Sequence, residues 1–460
     1  MNIPQNNPLH QYAFSCQSKL LLKQEIPFSE DEIQDLMKRN YLNELPGVEE
    51  TLTGYLCNRC GNRKSHLFGR IPRERKQAVY CRKCIEMGRV STFEPLYKWR
   101  GPRLETPFVV DPCKWQGKLT PFQQRAADQI NSAMACRAPL LVWAVCGAGK
   151  TEMLFKGLTA AFERGDRVCI ASPRADVVRE LAPRFKQVFP EVSISALYGG
   201  SEDKGKESQF TISTTHQLLR YEQAFDVMII DEVDAFPYYT DRSLSFAANR
   251  ARKTTSSLIY LTATPRKWLI WRAKLNLIPT VFVPARYHGH PLPVPQFVSS
   301  YRLKKSLAKN QLPQIIISWI DEKVTQNRRF LLFVPSIEMG RKIANLTNIE
   351  CVDASDEDRV EKVEKYRNNK MNALITTTIL ERGVTFPSID VAVIDVGHQV
   401  FDEAALVQIA GRAGRNAADP YGDVVFFHQG KTEQMIRARR SIEMMNSLAR
   451  RDQDALSLVP

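Results

Sequence analysis

The stretch AVCGAGKTEM, Ala144–Met153, limits what this chain can fold into more than any other. It continues an apolar run, Leu140–Val145, and leads into a helical pattern. Gly147 and Gly149 let the backbone turn its N–H groups toward a phosphate without a Cβ in the way. Lys150 can reach the β- and γ-phosphates, and the Thr151 hydroxyl can ligate Mg²⁺. The general pattern is GxxxxGK[ST], and Ala144 stands at its first position in place of glycine. Ala144, Gly147, Ala148, Gly149, Lys150 and Thr151 are therefore the expected cradle for ATP. Such a loop follows the carboxyl end of a buried strand, so a parallel sheet is the first expectation.

The chain offers two such sheets. Leu140–Val145, Arg167–Ser172, Phe210–Thr214, Val227–Ile230 and Ser257–Thr262 read as buried strands, most of them followed by a polar turn and a helix-like segment. After a proline-rich stretch, Pro284–Pro295, a second set begins with Phe330–Val334, Asn348–Val352, Ala373–Thr377, Val391–Val396 and Gly422–Phe427. The expected organisation is an N-terminal segment (1–52) with one helix around Ser29–Asn40, a four-cysteine module (53–100) and a connector (101–118). A first α/β lobe (119–283), a linker (284–312), a second lobe (313–435) and a basic C-terminal helix (436–460) complete it.

In VMIIDEVD, Val227–Asp234, an apolar strand ends in acidic residues, where open α/β sheets bind their ligands. Asp231 is expected to hold Mg²⁺ opposite Thr151, and Glu232 to orient the attacking water. Gln123, upstream in LTPFQQRA, is a candidate for adenine recognition through its amide.

Cys57, Cys60, Cys81 and Cys84 stand as C-x₂-C-x₂₀-C-x₂-C, which is tetrahedral Zn²⁺ spacing. Cys16, Cys113, Cys136, Cys146, Cys169 and Cys351 are scattered and read as small hydrophobes or bystanders. A disulfide-bonded secreted scaffold would be shorter and more evenly cysteine-rich. The opening residues lack a signal-peptide pattern, and no apolar run approaches the ~18–20 residues that span a bilayer, so the cytoplasm is the expected location. A net charge of +14 calls for a polyanionic partner, nucleic acid or an anionic membrane surface.

With these motifs together the chain resembles a superfamily 2 helicase of the DEAD/DEAH type. ASPR (Ala171–Arg174), STTHQLL (Ser213–Leu219) and LTATP (Leu261–Pro265) match motifs of the first lobe. FVPS (Phe333–Ser336), TTTILERGVTFP (Thr376–Pro387) and QIAGRAGR (Gln408–Arg415) match motifs of the second, all in the family's order. The resemblance implies two tandem RecA-like parallel-sheet lobes, here preceded by a small four-cysteine zinc module. It implies that Arg412 and Arg415 approach the γ-phosphate from the second lobe, with Arg415 as the arginine finger, and that Gln408 helps align the water. By the same analogy Arg174, Thr214, Thr215, Thr376 and Thr378 meet a nucleic-acid backbone. Two departures stand out: the acidic box is DEVD, and Gly383-Val384 is followed by Thr385 where aspartate is common.

A leading CxxC…CxxC module narrows the likeness to the ComFA family of late-competence ATPases. PriA-type replication-restart helicases are the alternative, although their cysteines resemble an insertion within the motor. The ComFA resemblance implies ATP-driven translocation on single-stranded DNA during uptake, at the inner face of the membrane. It also implies competence partners such as ComFC. A nucleotide-switched DNA-binding scaffold is the competing reading from the same motifs.

Within the cysteine module, Arg59, Arg82 and Lys83 adjoin the ligands and are expected to offset the charge of about −2 on a four-thiolate zinc site. Arg63, Lys64, Arg70, Arg73, Arg75, Lys76, Arg89, Lys98 and Arg100 make the module a candidate DNA platform, with Phe68 and Tyr80 as stacking surfaces. His66 reads as a bystander.

Overall fold

A computed structural model describes residues 8–72, 78–203, 205–206, 208–381 and 386–457. Arg73, Arg75 and Lys76 of the basic loop, and the Gly383–Thr385 departure, lie outside the described residues.

The described residues of the N-terminal part form seven short strands: β1 (Leu20–Leu21), β2 (Leu42–Leu45), β3 (Val48–Thr51), β4 (Gly54–Cys57), β5 (Phe68–Ile71), β6 (Ala78–Cys81) and β7 (Leu96–Trp99). Strand β7 runs antiparallel between β1 and β2, so the first fifty residues and the end of the cysteine module share one sheet. Leu21, Leu42, Tyr97 and Trp99 form its core with Ile33 and Leu36 of helix Glu30–Lys38, which Ser29 caps. The sequence reading treats this segment as weakly patterned because strands of two to four residues are too short to show a period.

The first lobe contains β8 (Pro139–Ala144), β9 (Val168–Ser172), β10 (Ile194–Leu197), β11 (Phe210–Thr214), β12 (Phe225–Asp231), β13 (Arg252–Thr262) and β14 (Thr280–Val283), in the order β10-β11-β9-β12-β13-β8-β14, all parallel. Successive residues of β12 feed opposite faces. Val227 and Ile229 join the core that holds Ile130, Leu158 and Phe185, while Met228 and Ile230 join the one that holds Leu244 and Ala247. Burial on both faces explains the unbroken apolar run.

The second lobe contains β15 (Gln296–Ser299), β16 (Arg329–Phe333), β17 (Cys351–Val352), β18 (Ala373–Thr376), β19 (Ile389–Ile394) and β20 (Val424–His428), parallel in the order β15-β20-β19-β16-β18-β17. The stretch 284–312, expected to be linker, supplies β15 and helix Leu303–Ala308, whose Leu303 and Leu307 are core residues of this lobe. The C-terminal helix runs Glu433–Ser457 and buries Met435, Ala438, Ile442, Met445 and Ala449, a spacing of three and four that lays one face on the lobe. No helix among the described residues is long and apolar enough to cross a membrane.

The cysteine module is docked on the first lobe. Leu22, Val48 and the four cysteines share a core with Leu218, Tyr221 and Leu244. Lys83 Nζ pairs with Asp241 at 2.6 Å, and Lys98 pairs with Glu222.

Candidate functional site

The phosphate loop hangs between β8 and helix Lys150–Glu163. Gly149 caps that helix with φ +70°, a left-handed conformation that favours glycine. A Cβ there would stand 2.3 Å from Gln123 Nε2. Gln123 itself closes a capping box: its Oε1 accepts from Thr120 N at 2.8 Å, while its Nε2 donates to Ala148 O at 2.9 Å. The amide offered by the sequence for adenine thus clamps the loop to helix Pro121–Ala135. An amide nitrogen carries two N–H donors, so adenine contact stays chemically open to it.

Strand β12 ends at Asp231, which registers against Leu261 of β13, itself opposite Val142 of β8. This sets the acidic turn beside the phosphate loop. Glu232 follows at φ +53°, and its N–H donates to Asp231 Oδ1 at 2.9 Å. Burial, then the Glu232 charge, pushes the Asp231 carboxyl up to about 6, against the pull of Lys150. A cation held by Asp231 and Thr151 would relieve both effects, so these residues fit Mg²⁺. Asp234 is fully buried and takes hydrogen bonds from Thr262 Oγ1 (2.5 Å) and Thr264 Oγ1 (2.6 Å), which joins DEVD to LTATP.

The second lobe closes the cavity. Gln408, Arg412 and Arg415 line it together with Lys150, Thr151, Asp231 and Glu232, around about 600 Å³ of space. Gln408 Oε1 accepts from Cys146 Sγ of the phosphate loop at 3.0 Å, a direct bond between lobes. Arg415 Nε donates to Gly411 O at 2.8 Å, fixing the base of a side chain that faces the cavity. Arg412 is buried; its Nε donates to Glu381 O at 3.0 Å, and its Nη1 has no partner among the described residues. Burial, then the neighbouring Arg415 charge, draws the Arg412 guanidinium down to about 9. A buried, unpaired cationic donor beside a phosphate loop fits an anionic phosphate group. Lys150→Ala and Glu232→Gln should each lower nucleotide hydrolysis by on the order of 10²-fold or more, with the fold retained. Steady-state phosphate release checks this, and wild-type turnover in either variant would remove these residues from the site.

The four module cysteines lie within 4.8 Å of one another at their sulfurs, all buried, with Cys57–Cys84 at 3.7 Å and Cys60–Cys81 at 3.5 Å. Tetrahedral Zn–S bonds of ~2.3 Å put sulfurs ~3.8 Å apart, so the residues fit zinc. Hydrogen bonds from Cys60 and the other two sulfurs hold the Cys57 thiol well below its ordinary range. When bound, zinc would supply a crosslink to this small module, not a reactive centre.

Residues 6–98 match the competence protein ComFA N-terminal domain, residues 116–267 the res subunit of type III restriction enzymes, and residues 309–417 the helicase conserved C-terminal domain. The chain is 47% identical to competence protein ComFA of Bacillus subtilis (strain 168) over 95% of both chains. It is 36% identical to the ComFA of Streptococcus pneumoniae (strain ATCC BAA-255 / R6), over 92% of this chain and 97% of that one. The chain belongs to the ComFA family of competence proteins. Its two lobes share the fold of S. cerevisiae Dbp5 bound to RNA and ADP BeF3, with a TM-score of 0.54 at 16% identity over 71% of this chain and 88% of that one. Mycobacterium smegmatis Lhr bound to ssDNA and AMP-PNP gives 0.51 at 19% identity, over 72% and 50%.

Other sequence expectations meet a different outcome in this ComFA family member. Thr214, Thr215 and Thr376 are buried, since each sits at or just beyond the end of a central strand, and Thr378 is half-buried. Arg174 reaches into the second lobe, where its Nη2 donates to Ile379 O at 2.9 Å and its Nη1 stands 3.9 Å from Glu381. These five do not form one exposed surface. In the module, Arg59, expected to offset the cysteine charge, is buried and pairs with Glu25 at 2.9 Å; Lys83 is half-buried and pairs with Asp241; Phe68, expected as a stacking surface, is buried. Cys146 is no bystander, given its bond to Gln408.

Arg250 and Arg286 belong to no motif singled out above. Arg250 donates to Asn58 O (3.0 Å), Arg59 O (2.5 Å) and Leu219 O (2.6 Å), fastening the first cysteine knuckle to the motor. Arg286, in the proline-rich stretch, donates to Ala413 O (2.9 Å) and Gly414 O (2.5 Å), while the adjacent Tyr287 N–H donates to Gly147 O (3.0 Å). The stretch thus ties the phosphate loop to the arginine turn. Only the stray arginine of PARYHGHP could have signalled it.

Proposed function

We propose that the protein is an ATP-driven motor that translocates on single-stranded DNA and assists uptake of transforming DNA. One observation carries the reading: Lys150 and Thr151 of the first lobe and Arg412 and Arg415 of the second line a single cavity. Charge spread over a transferring phosphoryl group is stabilised by arginines only once both lobes are in place, so hydrolysis and lobe closure become one event. In this reading Gly147, Ala148 and Gly149 turn their N–H groups to the phosphates, Lys150 neutralises them, and Glu232 with Gln408 orients the water. Thr151 and Asp231 would hold Mg²⁺, which when bound would supply positive charge against the phosphates. Alternate closing and opening then moves the strand.

Membership of the ComFA family and a net charge of +14 support DNA as the polymer, competence proteins such as ComFC as partners, and peripheral work at the inner membrane face. The test is displacement of streptavidin from biotinylated single-stranded DNA, which a translocase performs with ATP. A nucleotide-switched scaffold is the second reading, favoured by the Arg174–Ile379 bond that ties the lobes at a proposed contact residue. Such a scaffold hydrolyses ATP and leaves the block in place.

Phosphate contacts should make DNA affinity fall steeply with salt, by about 10³-fold or more between 50 and 200 mM if some six phosphates are neutralised. Fluorescence anisotropy over a salt series reads this directly, and a flat response would contradict a phosphate-tracking grip.

A further inference from the structure

Another link between the lobes lies outside the cavity. Arg266 directly follows LTATP and caps helix Lys267–Lys274. Its Nε and Nη2 both donate to Asp234 O, at 3.2 and 2.9 Å, and its Nη1 crosses to Asp402 Oδ2 of the second lobe at 2.9 Å. The Tyr239 ring lies over the guanidinium, 3.7 Å from its carbon. Asp402 in turn caps helix Glu403–Ala410, its Oδ1 accepting from Ala405 N at 2.9 Å. That helix carries Gln408 and runs directly into Arg412 and Arg415.

We infer that Arg266 and Asp402 are positioning residues that seat the arginine helix on the acidic turn when the lobes close; this rests on the motor reading above. Three features support it. The guanidinium is bound on its lobe-one side by two bonds to one carbonyl and a ring, so its remaining arm has a fixed direction. The acceptor across the gap is the residue that sets the start of the arginine helix. Finally, the carbonyl used belongs to Asp234, whose side chain is locked by Thr262 and Thr264. A shift in any of these groups is therefore transmitted to Gln408 and the arginines without passing through the nucleotide. Misplacing a reacting constellation by about 1 Å can cost up to about 10²-fold in rate, so a single contact of this kind has leverage.

The test uses the full chain with Asp402→Asn, Arg266→Gln and the double variant. Asparagine keeps the helix cap, so Asp402→Asn removes the ion pair while leaving the local fold intact. We expect kcat for DNA-stimulated ATPase to fall about tenfold in Asp402→Asn, with KM for ATP within about twofold, because the lobe-one grip on nucleotide is untouched. The double variant should lose no more than the worse single one, since both remove the same contact. A melting temperature equal to wild type confirms folding. Full kcat in Asp402→Asn, or losses that multiply in the double variant, overturn the inference while the wild-type rate upholds the motor reading. No ATPase in the wild type would sink both.

Discussion

Arg415→Ala is expected to lower kcat for ATP hydrolysis by about 10³-fold while leaving nucleotide affinity nearly intact. Of the two QIAGRAGR arginines that line the cavity, Arg415 is the half-buried one, its stem held through Gly411 O. Arg412 is fully buried, its Nε on Glu381 O and its Nη1 without a partner among the described residues. An arginine supplied across a cleft acts on charge that develops in the transition state, so its loss appears in kcat more than in binding. Stopped-flow binding of a fluorescent ATP analogue alongside phosphate release separates the two. A variant that binds nucleotide poorly but turns over normally at saturation would assign Arg415 to ground-state binding.

The second large effect is expected at the cysteines. Cys81→Ser should release the metal, from about one Zn²⁺ per chain to none, and lower the melting temperature of the motor as well as of the module. The knuckles are not an independent bead: Arg250 from the first lobe holds the carbonyls of Asn58 and Arg59, and the cysteines share a core with Leu218 and Tyr221. Structural zinc contributes about 10–16 kcal/mol in small zinc domains, as much as the total stability of a typical domain. Elemental analysis and calorimetry on wild type and Cys81→Ser read both quantities. Unchanged metal content would remove Cys81 from the site, and an unshifted motor transition would show that the module stands apart.

The arginines behave differently from the motif residues in how far sequence reveals them. The phosphate loop, DEVD and QIAGRAGR were legible because each is a short segment whose chemistry follows from local backbone: a strand end, a glycine turn, a helix start. The strands β9, β12 and β18 were legible for the same reason, their apolar runs reflecting burial on both faces. Arg250, Arg266 and Arg286 were not, because their partners are carbonyls and carboxylates 127 to 192 positions away, such as Asn58 O for Arg250 and Ala413 O for Arg286. A surface arginine and a lobe-bridging one look alike until the chain is folded. The threonine motifs revealed position along the chain and not burial. Thr214 and Thr376 sit at strand ends, as the motifs imply, but those ends are covered. In the module, the pairings of Arg59 with Glu25 and of Lys83 with Asp241 were equally hidden, since the partners stand 34 and 158 positions away. Strands β1, β2 and β15 were hidden by their brevity.

The central claim is that one cavity shared by two lobes couples ATP hydrolysis to single-stranded DNA. Its most direct test is the ATPase rate of the purified full chain with no polymer, single-stranded DNA, duplex DNA and RNA, with Lys150→Ala as blank. Strong stimulation by single-stranded DNA, weak stimulation by duplex and RNA, and none in the blank is the expected result. Equal stimulation by RNA, or a rate indifferent to every polymer, would contradict it.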